Sequence, residues 1–165
     1  MNSFQKKRKE AQKKWDLLKA SKIPVIHLGT ASCGRAAGAM EVLKTVRKIL
    51  KKNRLKAKIV QVGCIGPCYL EPLMDITLPG RPRICYSNVS PSKAKNIIEA
   101  YFIKGEPRLD LAVGHFGDDN SQLTNGIPRF FDLPMLKPQV RVVLRNCGFI
   151  DPEEIDHYLA NDGYV

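Results

Sequence analysis

The stretch KIVQVGCIGPCYLEP, residues 58–72, decides the fold. Its first five residues are a short apolar run of strand character, and Gly63, Gly66, Pro67 and Pro72 then punctuate the chain as a loop. Cys64 and Cys68 sit four apart in that loop. Two thiols there can be a redox pair, half of a metal site, or small inert hydrophobes. The elements on either side are needed to choose.

Upstream, PVIHLG at 24–29 is a second short apolar run, read as a strand ending at Gly29. Between the two runs, CGRAAGAMEVLKTVRKILKKN places Ala39, Val42, Leu43, Val46, Ile49 and Leu50 at spacings of three and four. That spacing predicts an amphipathic helix of about five turns, with its Lys and Arg gathered towards the C-terminal end that favours them. Downstream, LMDITL and RICYSNV flank Pro79-Gly80-Arg81-Pro82 as a hairpin. Ser90-Pro91 opens a third helix as N-cap and first residue, and Gly105 stops it. Residues 3–20 read as a basic helix with one apolar stripe through Phe4, Ala11, Trp15 and Leu18. The order helix, β-α-β, β-β-α with a right-handed crossover predicts an α/β protein, a thioredoxin-like small mixed sheet flanked by helices.

Residues 105–138 change character. They are rich in Gly, Pro, Asp and Asn without a sustained period, and read as an extended arm or linker. VRVVLRNCG then reads as a strand, and Asp151-Pro152-Glu153-Glu154 as the acidic start of a short helix. The expected organisation is a basic N-terminal helix over 1–22, a thioredoxin-like domain over 23–104, the arm over 105–138, and a terminal strand–helix over 139–165.

The formal net charge of +11 is uneven. Residues 1–22 carry eight Lys and Arg against Glu10 and Asp16, and residues 35–58 carry nine against Glu41, whereas the last fifteen residues are acidic. The basic residues lie on helix-patterned segments with no aromatic-interleaved basic motif, which disfavours nucleic acid and leaves a solvated face or a surface for an acidic partner protein. No apolar run approaches the roughly 18–20 residues of a membrane span. The basic N-terminus is followed by no apolar signal region. Five cysteines, an odd number, argue for a reducing compartment, so the expected localisation is cytoplasmic.

In a parallel β-α-β unit the loops after both strands lie at the same sheet edge. Cys33 follows the first strand and Cys64 and Cys68 the second, so three thiols converge. A soft thiolate set suits an iron–sulfur cluster or zinc, and the glycines around it leave backbone N–H groups free to approach sulfur. A thioredoxin-type dithiol would be spaced C-x-x-C, and a zinc site would more often show two C-x-x-C knuckles; neither is here.

Three stretches, GTASCGRAAGA, GCIGPCYLEPL and YSNVSPSKAKNII, make residues 23–104 resemble the thioredoxin-like [2Fe–2S] ferredoxins. These occur as the small subunit of complex I and fused ahead of the flavin- and NADH-binding subunits of hydrogenases and formate dehydrogenases. Residues 129–165, RFFDLPMLKPQVRVVLRNCGFIDPEEIDHYLANDGYV, look like the segment that leads into such a flavin-binding subunit, just before its Gly-rich FMN loop. That loop does not follow, so no FMN or NAD site is expected within this chain.

The resemblance implies that Cys64 and Cys68, in a G-C-x-G-x-C loop followed by Pro, are cluster ligands, with Cys33 a third. It also exposes a departure: the family's first loop carries C-x4-C, and only Cys33 remains here. Candidates for the fourth ligand are Cys85 on the second hairpin strand, His27 near the missing cysteine's place, Ser32, or a ligand from outside the chain. Cys147 reads as structural, His115 and His157 as exposed, and Glu71 as a carboxylate that fixes the loop or faces solvent. The expected function is an electron-transfer subunit carrying a [2Fe–2S] cluster in an NAD(P)H-linked, flavin-containing complex. Its partners would be the flavin/NADH-binding subunit and other iron–sulfur subunits. The alternative is a cluster-free assembly or docking subunit that kept the fold and lost its metal.

Overall fold

The computed structural model describes residues 2–117 and 122–165. The apolar runs Val25–Gly29 (β1) and Lys58–Val62 (β2) pair in parallel, Val25 opposite Lys58 through Gly29 opposite Val62. Parallel neighbours require a crossover. Here it is made by Ser32–Ala36 (α2) and Ala39–Lys52 (α3). The single helix expected over 33–53 is broken at Gly38, whose φ of +96° is open to glycine and costly for other residues. Cys33 thus sits on a short helix of its own.

Met74–Thr77 (β3) pairs antiparallel with the other side of β1, and Arg83–Tyr86 (β4) with β3. Ala112–Phe116 (β5) completes a five-stranded sheet of order β2-β1-β3-β4-β5. This last strand comes from the segment read as an arm, so the sheet extends beyond residue 104; residues 118–121 of that segment lie outside the described residues. Gly114 hides β5 in the sequence, yet a larger residue would be crowded there. A Cβ at Gly114 would lie 3.0 Å from the Cα of Phe130. Pro91–Ile98 (α4) starts as expected, the Ser90 Oγ accepting the Lys93 N–H at 3.1 Å, and runs through wider turns at Glu99–Lys104 to Gly105.

Period-two alternation gives the sheet two different faces. Ile26, Leu28, Met74, Ile76, Ile84 and Tyr86 point to one, where α3 and α4 bury them completely. Each such aliphatic side chain contributes about 1.5–3 kcal/mol relative to exposure. On the other face, registered across the strands, lie His27, Asp75, Cys85 and Gly114. This polar row is covered by Phe130, Leu136 and a cluster of phenylalanines, of which Phe116 and Phe130 stack at 5.0 Å. Beside it, Ser3–Lys19 (α1) lays Leu18 against Val25, Val60 and Val62, and Ala11 and Trp15 against Leu159 and Ala160 of Ile155–Ala160 (α5). Arg8–Asp162 at 2.7 Å and Lys14–Asp156 at 2.5 Å tie the basic first helix to the acidic C-terminus.

The terminal strand expected in VRVVLRNCG is absent. Residues 143–149 form consecutive turns, with the Cys147 N–H on the Leu144 carbonyl at 3.0 Å, and Val140, Val142 and Val143 stand in solvent. The physical reason is visible in the run itself: Val142-Val143-Leu144 breaks the alternation a half-buried strand needs. Among the described residues, no helix is long and apolar enough to cross a membrane.

Candidate metal centre

The two loops leaving β1 and β2 are tied to each other before any thiol is considered. The Thr30 N–H donates to the Val62 carbonyl at 3.1 Å, and the Gly29 N–H to the Leu73 carbonyl at 3.0 Å. The first loop then folds back tightly onto α2. A Cβ on Gly34 would sit 2.2 Å from the Gly29 carbonyl oxygen, so only glycine permits this approach. Beneath the turn lies the carboxylate of Glu71, 6% exposed, which accepts the Leu73 N–H at 2.7 Å. Burial pushes its pKa above the ordinary carboxylate value, and the Leu73 N–H bond opposes that shift. Of the two roles the sequence allowed Glu71, the structure shows the loop-fixing one.

In the second loop Gly66 adopts φ +132°, and the Cys68 N–H returns to the Gly66 carbonyl at 2.8 Å. This tight turn brings the Cys64 and Cys68 sulfurs to 3.4 Å. The Cys33 sulfur joins them, and the three lie within 4.8 Å of one another, Cys33 and Cys64 half-buried and Cys68 exposed. A compact, partly exposed set of soft thiols fits an iron–sulfur centre, which takes thiolate ligands.

His27 and Cys85 are not brought to this set. Among the described residues no other His, Cys, Asp or Glu belongs to it. Both occupy the polar row under the phenylalanines and line a cavity of about 10 Å³, room for one water, with Gly63, Ile65 and Asp75. Burial pushes the Cys85 thiol well up, aided by the negative Asp75, and holds the His27 imidazole well below its usual value. The Asp75 carboxylate is held by Arg83 at 2.5 Å, with side-chain exposures of 8% and 11%. Arg83 also donates to the Gly148 carbonyl at 2.6 Å and lies over the rings of Phe116 and Phe149. This buried pair was missed in the sequence reading. Its signal was an Asp inside the apolar strand LMDITL opposite an Arg-bearing partner.

Cys147 lies half-buried in the C-terminal turns, next to Gly148, whose backbone presses on Ile65 in the thiol loop; a Cβ there would be 2.5 Å from the Ile65 Cδ1. The expectation that His115 and His157 are exposed is corrected. His115, 2% exposed, is an interior residue of β5. His157 packs edge-on to Trp15 at 4.9 Å and accepts the Asp151 N–H at its Nδ1. Both sit where neighbouring segments cover them, which composition alone does not reveal.

No protein-family model matches the chain. The NADP-reducing hydrogenase subunit HndB of Solidesulfovibrio fructosivorans is 32% identical over 84 residues, covering 50% of this chain and 67% of that protein. The HndC subunit of the same organism's NADP-reducing hydrogenase is 64% identical over 28 residues, 17% of this chain but 6% of HndC. Among solved structures, a thioredoxin-like [2Fe–2S] ferredoxin from Aquifex aeolicus superposes with a TM-score of 0.50 at 18% identity, covering 61% of this chain and 99% of that one. The chain has the thioredoxin-like ferredoxin fold and belongs to the family of the HndB hydrogenase subunit.

Proposed function

We propose that the chain is an electron-transfer subunit carrying a [2Fe–2S] cluster within an NADP-reducing, hydrogenase-type complex. The observation that carries this is the convergence of Cys33, Cys64 and Cys68 within 4.8 Å, from two loops of a ferredoxin fold. These three would be the protein's thiolate ligands. A bound cluster supplies one-electron transfer. The chain's own residues do the rest: Gly29, Gly34 and Glu71 fix the first loop, Gly66 and the Cys68 N–H shape the second, and the phenylalanines cover the polar row beneath the site. We place the similarity to HndC in the C-terminal segment, 129–165, which resembles the lead into a flavin-binding subunit, and read that segment as the contact with such a partner. A place in the cytoplasm fits this reading.

The test is iron and acid-labile sulfide on anaerobically purified or reconstituted protein, with EPR of the reduced form. The expected result is about two of each per chain and a paramagnetic signal, both lost in Cys64→Ser and Cys68→Ser. One observation favours a second reading, a cluster-free docking subunit: the protein gathers three thiols where a full set is four. A colourless chain that resists reconstitution would establish that reading instead.

A further inference from the structure

We infer that Arg141 is a positioning residue for the three-thiol centre: it holds the loop of Cys64 and Cys68 in place and favours the reduced state with its charge. This rests on the cluster reading above. Arg141 stands in the C-terminal segment, 76 positions from Ile65, yet its Nη1 donates to the Ile65 carbonyl at 2.7 Å. Ile65 lies between Cys64 and Gly66, inside the thiol loop. The same Nη1 stands beside Gly66, 3.6 Å from where a Cβ on that residue would lie. The Nη2 donates to the Leu144 carbonyl at 2.9 Å, and the guanidinium carbon lies 5.2 Å from the centre of the Phe131 ring. Two hydrogen bonds and a ring contact fix the plane of the guanidinium, a geometry that its rigid fork suits and a lysine cannot reproduce.

The bond to Ile65 acts on the loop where its backbone is freest. Gly66, at φ +132°, lacks the Cβ that would restrict its peptide planes, so the orientation of the Ile65–Gly66 peptide is set by what its carbonyl meets. That peptide is trans, so with its carbonyl directed at Arg141 its N–H is directed away from the guanidinium. Among the described residues no carboxylate pairs with Arg141, and its positive charge is uncompensated where it meets the loop. Reduction of an iron–sulfur centre adds a negative charge, and a fixed cation beside a ligand-bearing loop favours that state. Arg145 provides the contrast within the same segment. It is exposed, and its Nη2 donates to the Asn161 carbonyl at 3.2 Å instead of to the thiol loop.

The experiment compares Arg141→Met, Arg141→Lys and Arg145→Met with the parent in the full chain, first metal-free and then loaded anaerobically with iron and sulfide. In the metal-free chain, Arg141→Met is expected to speed amide exchange over residues 64–68 about tenfold, the factor that about 1.4 kcal/mol of one lost hydrogen bond from a charged donor represents. Its unfolding midpoint should stay near the parent's. In the loaded chain, Arg141→Met should lower the reduction potential and shift the visible circular dichroism at unchanged iron content. Arg141→Lys, which keeps the charge without the fork, should retain most of the potential but only part of the exchange protection, and Arg145→Met should alter neither. A loaded Arg141→Met chain with the parent's potential would overturn the inference. An equal drop in Arg145→Met would overturn it too, by tracing the effect to the general field of a basic protein. Where Arg141→Met does not load, Arg141→Lys decides: exchange over 64–68 equal to the parent's overturns the inference. These failures leave the cluster reading standing, whereas a parent chain that takes up no iron and sulfide defeats both.

Discussion

Gly34 shows how little room the first thiol loop has. Its missing Cβ lets the Gly29 carbonyl approach to where an added carbon would lie at 2.2 Å, and the obstruction is backbone, which cannot swing aside. Gly34→Ala is therefore expected to displace the loop that carries Cys33, costing about 1–3 kcal/mol in urea unfolding. Iron loading should fall more steeply than stability does. Arg83 and Asp75 set a different constraint. Removing one member of a buried, hydrogen-bonded pair strands the other charge, so Arg83→Met should cost about 3–5 kcal/mol, while Arg83→Met with Asp75→Asn should recover much of that loss. A double-mutant cycle by chemical denaturation checks it; a double variant as unstable as Arg83→Met would show that the Gly148 and ring contacts of Arg83 dominate. His27 gives the pH dependence. Burial lowers its folded pKa well below 6.5, and the nearby Arg83 adds to the shift. The unfolded chain then binds the proton more readily, so stability is retained above about pH 6.5 and falls as pH drops below it. Stability measured between pH 7 and 5 should decline less in His27→Gln than in the parent.

The elements that were legible in the sequence are those whose own residues enforce them. α3 and α4 carried apolar spacing and, for α4, a Ser-Pro start; β1 and β2 were short apolar runs ended by glycine. What was not legible depended on partners. β5 was hidden because Gly114 and the segment around it have value only against Phe130 and β4, and the terminal strand was read from composition although no alternation supported it. The three thiols were legible because topology alone sends both post-strand loops to one edge; the polar row was not, since it emerges only from cross-strand register. The packing of α1 on α5 belongs to the same partner-dependent class. Trp15 is 8% exposed between Leu159, Ala160 and the His157 ring. Trp15→Ala should cost about 2–4 kcal/mol locally. Hydrogen exchange should then accelerate across 3–19 and 155–160 while β1, β3 and β4 keep their protection, because the sheet's other face is sealed separately by α3 and α4.

At the scale of the molecule, the two faces of the sheet divide the work. One is a dry aliphatic core that holds the fold; the other carries the polar row, the C-terminal turns and, at its edge, the thiols. Site and stability should therefore separate under mutation. Cys64→Ser and Cys68→Ser alter groups that are half-buried or exposed and carry no core packing, so they are expected to abolish cluster absorbance and leave the far-ultraviolet circular dichroism and unfolding midpoint close to the parent's. Cys85→Ser should do the reverse. Its thiol is 1% exposed among phenylalanines, and a hydroxyl there must find a partner or remain buried without one, at about 1–3 kcal/mol, while the cluster spectrum persists. Cys33→Ser decides how far the division holds. As the one thiol from the first loop it should lose the native spectrum yet spare the fold; a spectrum that survived this change while vanishing with Cys85→Ser would move the centre from the sheet edge into the covered face, and the assignment of the two faces would have to be exchanged.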